Sequence, residues 1–313
     1  MGNVLISFPI FSNYLKKLKK KHIVDIVPSS KPLGEEFFLE KIEKYNGIII
    51  LLSHKITKKV IEKGKNLKII SNYAVGYDNI DVEYAKKRGI VVTNTPDVLT
   101  EATANLAWAL ILSLTRRIVE SDKFTRAGRF EGWKPDLFLG IDLKGKTLGI
   151  LGMGRIGQSV AKKARGFGMK VLYWDKEEKK TGRNFKFCKL EEVLKLSDII
   201  SIHLPINKDT YHLLNKKRFN LLKKDSFIIN TSRGEVIDEK ALIEALNDQK
   251  IKGAGLDVYE KEPNVNKKLF KFKNVVLTPH IGSATIETRK KMADLAILNV
   301  LNVLDGKKPL TEI

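Results

Sequence analysis

The sequence predicts an α/β protein made of two parallel-sheet domains. Three observations carry that prediction. Short apolar runs alternate with amphipathic stretches along the chain, the rhythm of strands joined by crossover helices. The rhythm pauses at one long helical stretch and then restarts. The length, 313 residues, suits two domains that each bury a core.

Taken in order, Val4 to Ser7 reads as a first strand. Ile48-Ile49-Ile50-Leu51-Leu52, Lys68-Ile69-Ile70 and Ile90-Val91-Val92 read as buried strands with helices between them. One long helix is expected from roughly Thr100 to Arg126, with Pro96-Asp97 as its start signal and Gly128 and Gly132 breaking the pattern before Trp133. The strand series restarts at Thr147-Leu148-Gly149-Ile150-Leu151. It continues through Val171-Leu172-Tyr173, Ile199-Ile200-Ser201-Ile202, Phe227-Ile228-Ile229, Gly255-Leu256-Asp257 and Val275-Val276-Leu277. A final helix is expected over Ala284 to Leu304. Such alternation implies parallel sheets with right-handed crossovers.

Composition narrows the class. No apolar run reaches membrane-span length. The apolar stretch Val4 to Phe11 is followed, not preceded, by lysines at Lys16-Lys17 and Lys19-Lys20-Lys21, the wrong order for a secretory signal. Met1-Gly2 opens like a myristoylation site, but Ser7 falls one position too late. A single cysteine, Cys188, fits a reducing compartment, and the expected location is the cytoplasm. The formal charge of +21 comes almost entirely from lysines spread along the chain. Nucleic-acid readout favours arginine, so no nucleic-acid partner is expected. Attraction of anionic cofactor and substrate is the expected consequence. No metal site is expected.

Gly152-Met153-Gly154-Arg155-Ile156-Gly157 is a GxGxxG. Alone it is a weak signal, but here a strand leads in, a helical pattern leads out, and Asp175 closes the following strand. Gly152 permits a tight turn, Gly154 lets the backbone approach a pyrophosphate, and Gly157 allows close helix packing. The helix N-terminus offers N–H groups to phosphates. Asp175 can accept hydrogen bonds from ribose hydroxyls and would repel a 2′-phosphate. NAD is therefore expected, with NADP as the alternative; Lys176, Lys179 and Lys180 are near enough to soften the repulsion.

Arg233, Glu262 and His280 follow, in Asn230-Thr231-Ser232-Arg233-Gly234, Glu262-Pro263 and Pro279-His280-Ile281-Gly282-Ser283. Singly, each is ordinary: a turn arginine, a surface glutamate, a structural histidine. Together, a fixed cation, a carboxylate and a histidine can bind a 2-oxo acid and protonate its carbonyl.

With Asn72-Tyr73-Ala74-Val75-Gly76-Tyr77-Asp78-Asn79-Ile80-Asp81, His203-Leu204-Pro205 and Leu256-Asp257-Val258, these motifs cover nearly the whole chain in order. The sequence resembles the D-isomer-specific 2-hydroxyacid dehydrogenases. Within them it is most similar to the glyoxylate/hydroxypyruvate reductases, through Asn72 to Asp81, Thr93 to Thr100 and Phe138-Leu139-Gly140. The resemblance implies two Rossmann-like, flavodoxin-like domains with a cleft between them. It places residues 1–98 plus 285–313 in a discontinuous substrate-binding (catalytic) domain and 99–284 in the NAD-binding domain.

It further implies His280 as the acid in reduction and the base in oxidation, Glu262 as its carboxylate partner, and Arg233 as the grip on the substrate. Val75 and Gly76 would offer N–H groups to the substrate carboxylate. Thr103, Arg155, Ile156, His203, Pro205, Thr210, Thr231, Asp257 and Gly282 join Gly152, Gly154, Gly157 and Asp175 as cofactor contacts. Asp257 and Thr231 would border the nicotinamide ribose and carboxamide. The turn Leu52-Ser53-His54 and the stretch Tyr73 to Tyr77 would line the substrate side-chain pocket.

The implied reaction is NAD(P)H-dependent reduction of glyoxylate, hydroxypyruvate or another small 2-oxo acid to the D-2-hydroxy acid. Alternatives within the family are 3-phosphoglycerate, D-lactate or 2-ketogluconate chemistry. A nucleotide-sensing co-repressor is the non-enzyme alternative, disfavoured because such relatives carry added tails. Glutamate at position 262, where formate dehydrogenases of the superfamily have glutamine, argues against formate. Relatives are homodimers through the cofactor domain, and Trp133 is the candidate aromatic reaching the partner's site.

Overall fold

The computed structural model describes residues 1–29, 31–181 and 185–313. It divides into two units, one of residues 1–99 and 283–313, the other of residues 100–282.

The first unit holds one parallel sheet of β1 (Asn3–Ile6), β2 (Ile23–Ile26), β3 (Gly47–Ile50), β4 (Ile69–Asn72) and β5 (Val91–Thr93). Their order is β2-β1-β3-β4-β5, and every pairing is parallel. The chain moves outward one way from β1 and the other way from β3, so the topological switch point lies between them. All four residues of β3 and of β4 are buried, as sheets covered on both faces require. Helices α1 (Leu15–Lys21), α2 (Glu35–Lys41), α3 (Lys58–Lys63) and α4 (Val82–Lys87) connect the strands. The C-terminal helix, Ile286–Leu304, packs on β3 and β4. There the Ser71 hydroxyl donates to the Ala296 carbonyl at 3.1 Å, and Tyr73 Oη donates to the Arg289 carbonyl at 2.6 Å.

The second unit begins with α5 (Thr100–Thr115) and α6 (Ile118–Arg126). Its parallel sheet contains β6 (Thr147–Leu151), β7 (Lys170–Trp174), β8 (Lys186–Phe187), β9 (Ile199–Ile202), β10 (Phe227–Asn230), β11 (Gly253–Leu256) and β12 (Val275–Leu277). The order is β12-β11-β10-β9-β6-β7-β8, the doubly wound arrangement with its switch point between β6 and β9. Helix α7 (Arg155–Ala164) leaves β6 and packs against α5. Trp108 of α5 is buried, donates its indole N–H to the Val160 carbonyl at 3.1 Å and stacks on Phe167.

Three expectations are corrected. The long helix over Thr100 to Arg126 is two helices, because Arg117 adopts a left-handed conformation, φ 54°. The Thr115 carbonyl is taken by the Ile141 N–H at 2.9 Å instead of continuing the helical ladder. Gly140 makes that approach possible, since a Cβ there would lie 2.2 Å from the Thr115 oxygen. Strands β2 and β8 were not expected from the pattern. Both are short sheet edges; β2 alternates exposed and half-buried residues, and β8 is exposed throughout. His54 and Tyr73 do not line a pocket. His54 is wholly buried, with Nδ1 2.9 Å from Ser7 Oγ and accepting the Leu51 N–H at 3.3 Å. Burial holds its pKa down, at about 4. The Tyr73 ring is buried against Phe8.

No helix among the described residues is long and apolar enough to cross a membrane.

Candidate active site

In the second unit, the predicted residues gather at the C-terminal ends of the sheet strands, where open α/β sheets bind their ligands. Gly152 follows β6 directly, with φ 95°, and a Cβ there would stand 2.6 Å from the His203 carbonyl oxygen that follows β9. Glycine is thus required at the switch point on two counts, conformation and space. A Cβ on Gly157 would lie 2.0 Å from the Gly152 oxygen, so the first turn of α7 folds onto the loop only with glycine there. Gly154 is exposed, and a Cβ on it would meet nothing within 4 Å. No side chain caps α7, so the N–H groups of Ile156 and Gly157 in its first turn are available to an anion.

Asp175 follows β7, and its Oδ2 accepts the Met153 N–H at 2.8 Å. The acid therefore braces the glycine loop, and each carboxylate oxygen keeps a second lone pair for a ribose hydroxyl. Two buried polar atoms nearby have no hydrogen-bond partner among the described residues: Thr231 Oγ1, just past β10, and His203 Nδ1, just past β9. Orphaned buried groups in a cradle need something to pair with, and a dinucleotide carries such groups. His203 Nε2 meets Ser201 Oγ at 2.8 Å, and burial lowers its pKa to about 3, which keeps the ring neutral. Pro205 is exposed. Thr210 is buried and donates to the Pro205 carbonyl at 2.7 Å, closing that loop on itself. Thr103 of α5 and Gly282 are neighbours, with a Gly282 Cβ placed 3.3 Å from Thr103 Cγ2.

The trio follows β10, β11 and β12. Asn230, fully buried at the end of β10, accepts from the Ser232 N–H and hydroxyl and donates to the Arg233 carbonyl at 2.9 Å, fixing the turn that carries Arg233. Glu262 Oε2 meets His280 Nδ1 at 2.9 Å. Glu262 Oε1 accepts the Tyr259 N–H at 3.1 Å. Burial pushes the Glu262 carboxyl upward, but the bond and charge of His280, the Tyr259 amide and the Arg233 charge outweigh it, and the net shift is downward. Glu262 is thus held ionised. His280 Nε2 has no hydrogen-bond partner among the described residues.

His280 itself is strained, with φ 54°, a conformation uncommon for a residue other than glycine. Asp257 holds it there. Its carboxylate accepts from the Thr278 hydroxyl at 2.6 Å and from the Ile281 and Gly282 N–H groups, each at 2.8 Å, while its carbonyl accepts the His280 N–H at 2.9 Å. Burial drives the Asp257 pKa up and these donors pull it back, leaving it raised.

In the first unit, Val75 and Gly76 lie on the loop after β4, both half-buried. Asn94 donates to the Val75 carbonyl at 2.8 Å, and Asn72 to the Gly76 carbonyl at 2.7 Å. With both carbonyls tied back, the two N–H groups have no protein acceptor among the described residues. Successive free N–H groups make an anion nest. Asn72 also pairs with Asn79, which donates to the Leu51 and His54 carbonyls. Sequence reasoning passed over Asn72, Asn79, Asn94 and Asn230. A usable signal was present: an asparagine ends the apolar runs of β4 and β10, and a buried amide is kept only where it is fully bonded.

Residues 108–282 match the family model described as D-isomer specific 2-hydroxyacid dehydrogenase, NAD binding domain. The chain belongs to this dehydrogenase family. A glyoxylate reductase of Thermococcus litoralis is 48% identical over 313 residues, 98% of this chain and 95% of that protein. A solved structure of a Thermus thermophilus protein superposes with a TM-score of 0.95 at 42% identity over 99% of each chain. An NADPH-dependent glyoxylate/hydroxypyruvate reductase of Sinorhizobium meliloti, solved with NADP and malonate, gives 0.88 at 32% identity over 99% of this chain and 96% of that one. This 2-hydroxyacid dehydrogenase is an NAD(P)-dependent oxidoreductase with two parallel-sheet, Rossmann-type units.

Proposed function

We propose that this dehydrogenase reduces glyoxylate, hydroxypyruvate or a similarly small 2-oxo acid to the D-2-hydroxy acid. The 2.9 Å pair between Glu262 and His280 carries the proposal, because it leaves His280 Nε2 as the one ring nitrogen able to exchange a proton with substrate. The relatives named as glyoxylate reductases support the substrate class.

When bound, the nicotinamide supplies or accepts the hydride. In reduction, His280 gives its Nε2 proton to the carbonyl oxygen, and Glu262 stabilises the charged ring beforehand. In oxidation, the neutral ring takes the hydroxyl proton. Arg233 grips the substrate carboxylate and polarises the carbonyl. The first unit is the proposed substrate-binding unit, with the N–H groups of Val75 and Gly76 as carboxylate donors. The second is the cofactor unit, with the glycine loop at the pyrophosphate, Asp175 at the adenosine ribose, and Thr103, Thr231, His203 and Gly282 around the remainder. Asp257 acts through the His280 turn that its oxygens hold.

The test is NADH oxidation with glyoxylate, hydroxypyruvate, pyruvate and 3-phosphohydroxypyruvate, beside the His280→Asn variant. Turnover of the first two that vanishes in the variant supports the reading. Activity confined to 3-phosphohydroxypyruvate, or undiminished in the variant, overturns it.

NAD is the proposed cofactor of choice, because a 2′-phosphate would face the Asp175 charge. Asp175→Asn keeps an acceptor for the Met153 N–H and removes that charge. The wild-type enzyme is expected to show the higher kcat/KM with NADH, and the variant to narrow the gap by about tenfold. A wild-type preference for NADPH contradicts the assignment.

The enzyme is proposed to act as a cytoplasmic homodimer joined through the second unit. Helix α6 buries none of its residues. Nearby Phe130, Trp133 and Leu139 are 59%, 84% and 66% exposed, an apolar load that solvent disfavours and a partner would cover. Sedimentation should give the mass of two chains for the wild type and of one chain for the Trp133→Asp, Leu139→Asp double variant. A single-chain mass for the wild type would rule the dimer out.

A further inference from the structure

We infer that Tyr259 is a positioning residue that holds both members of the Glu262–His280 pair from one side chain and its own backbone. The inference rests on the reading of that pair as the acid–base couple.

Tyr259 lies two residues past Asp257 in the loop after β11 and is 6% exposed. Its N–H donates to Glu262 Oε1 at 3.1 Å. That contact uses one carboxylate oxygen and turns the other, Oε2, toward His280 Nδ1 at 2.9 Å. Its hydroxyl donates to the Thr278 carbonyl at 2.9 Å, with the Leu256 carbonyl at 3.3 Å as a weaker second acceptor. The Thr278 carbonyl also accepts the His280 N–H at 3.1 Å. One residue therefore fixes the carboxylate by its amide and the strained histidine turn by its phenol. Thr278 is followed by Pro279, whose missing N–H leaves that turn fewer backbone bonds of its own.

The clamp is itself anchored. Gly234 packs so tightly on Tyr259 that a Cβ would lie 1.9 Å from its carbonyl carbon. Glu260, the next residue, accepts the Glu239 N–H at 3.1 Å and lies 3.3 Å from His212 Nε2. The loop cannot drift without disturbing Arg233 on one side or the Glu239–Asn247 helix on the other. Burial, with the charges of Asp257 and Glu262 behind it, raises the phenol pKa to about 12, so the group stays a hydrogen-bond donor at every pH where the enzyme works.

Tyr259→Phe removes only the hydroxyl. The expected result is a kcat for glyoxylate reduction about tenfold lower, with KM for NADH and the melting temperature near wild type. In the Glu262→Gln background the same substitution should cost less than about twofold, since the pair it serves is already broken. A tenfold loss that persists in that background makes Tyr259 merely structural and overturns the inference, as does a wild-type kcat in Tyr259→Phe. Should Tyr259→Phe not fold, Thr278→Gly, which frees the same turn from the other end, must show the same loss of kcat and the same relief in the Glu262→Gln background; a loss that persists there overturns the inference. Undiminished turnover in His280→Asn defeats the acid–base reading instead, so the two failures are told apart.

Discussion

Replacing His280 with asparagine is expected to lower kcat for 2-oxo acid reduction by about a thousandfold, within the range that removal of a general acid produces, or about 4 kcal/mol of barrier. Asparagine suits the position because it tolerates the left-handed backbone, φ 54° at His280, better than most side chains. It also keeps a group able to meet Glu262. The Asp257 bonds to the Ile281 and Gly282 N–H groups are backbone contacts and persist. Folding and NADH affinity should therefore stay near wild type, as read by melting and by quenching of tryptophan fluorescence. A variant that keeps more than about a tenth of wild-type kcat would remove His280 from the chemistry.

The second large effect is expected from Gly234→Ala. A Cβ at this position would meet Tyr259 C at 1.9 Å, Tyr259 O at 2.1 Å and Glu260 N at 2.4 Å. All three are backbone atoms, so no rotamer change relieves the clash. One methyl must push the Arg233 turn and the Tyr259–Glu262 loop apart. Overpacking of this kind costs about 3 kcal/mol, which corresponds to a melting temperature lower by roughly 6–12 °C for a unit of this size. A displacement near 1 Å at the catalytic groups costs about a hundredfold in turnover. Calorimetry and kcat/KM on the same preparation check both. A stable and fully active variant would mean that the two loops yield freely.

Much of this architecture was legible in the chain. Continuous apolar runs such as Phe227-Ile228-Ile229 can only be buried strands in a chain with this alternation, and the structure places β10 there. The glycine spacing was legible because Gly152 and Gly157 answer backbone demands that no other residue meets. The Arg233, Glu262 and His280 motifs were visible as a set in order, while their contacts were not. Nothing local announces that Tyr259 reaches Thr278, because the two are brought together only by the pairing of β11 with β12. The break at Arg117 was hidden for a similar reason. Arg116 and Arg117 are good helix formers, and the interruption comes from the distant Ile141 and Gly140. His54 was misread because a histidine after a buried strand looks like a polar loop residue, whereas here a serine on β1's exit captures it in the core.

The first unit is built from both ends of the chain, with the second inserted between residues 99 and 283. Its C-terminal helix buries Met292, Ala293, Ala296, Ile297 and Val300, and Val300 comes close against Gly47 of β3. The order in which a ribosome releases these segments then matters. The first five strands emerge early but lack the helix that covers β3 and β4, and the whole cofactor unit is made before that helix appears. The cofactor unit can complete its fold while synthesis continues, whereas the first unit waits with apolar strand surface uncovered until the helix Ile286–Leu304 has been made. Loss of the final thirty or so residues is therefore not a trimming of the terminus but the removal of a wall from a half-built domain, a change that exposes β-sheet surface to aggregation.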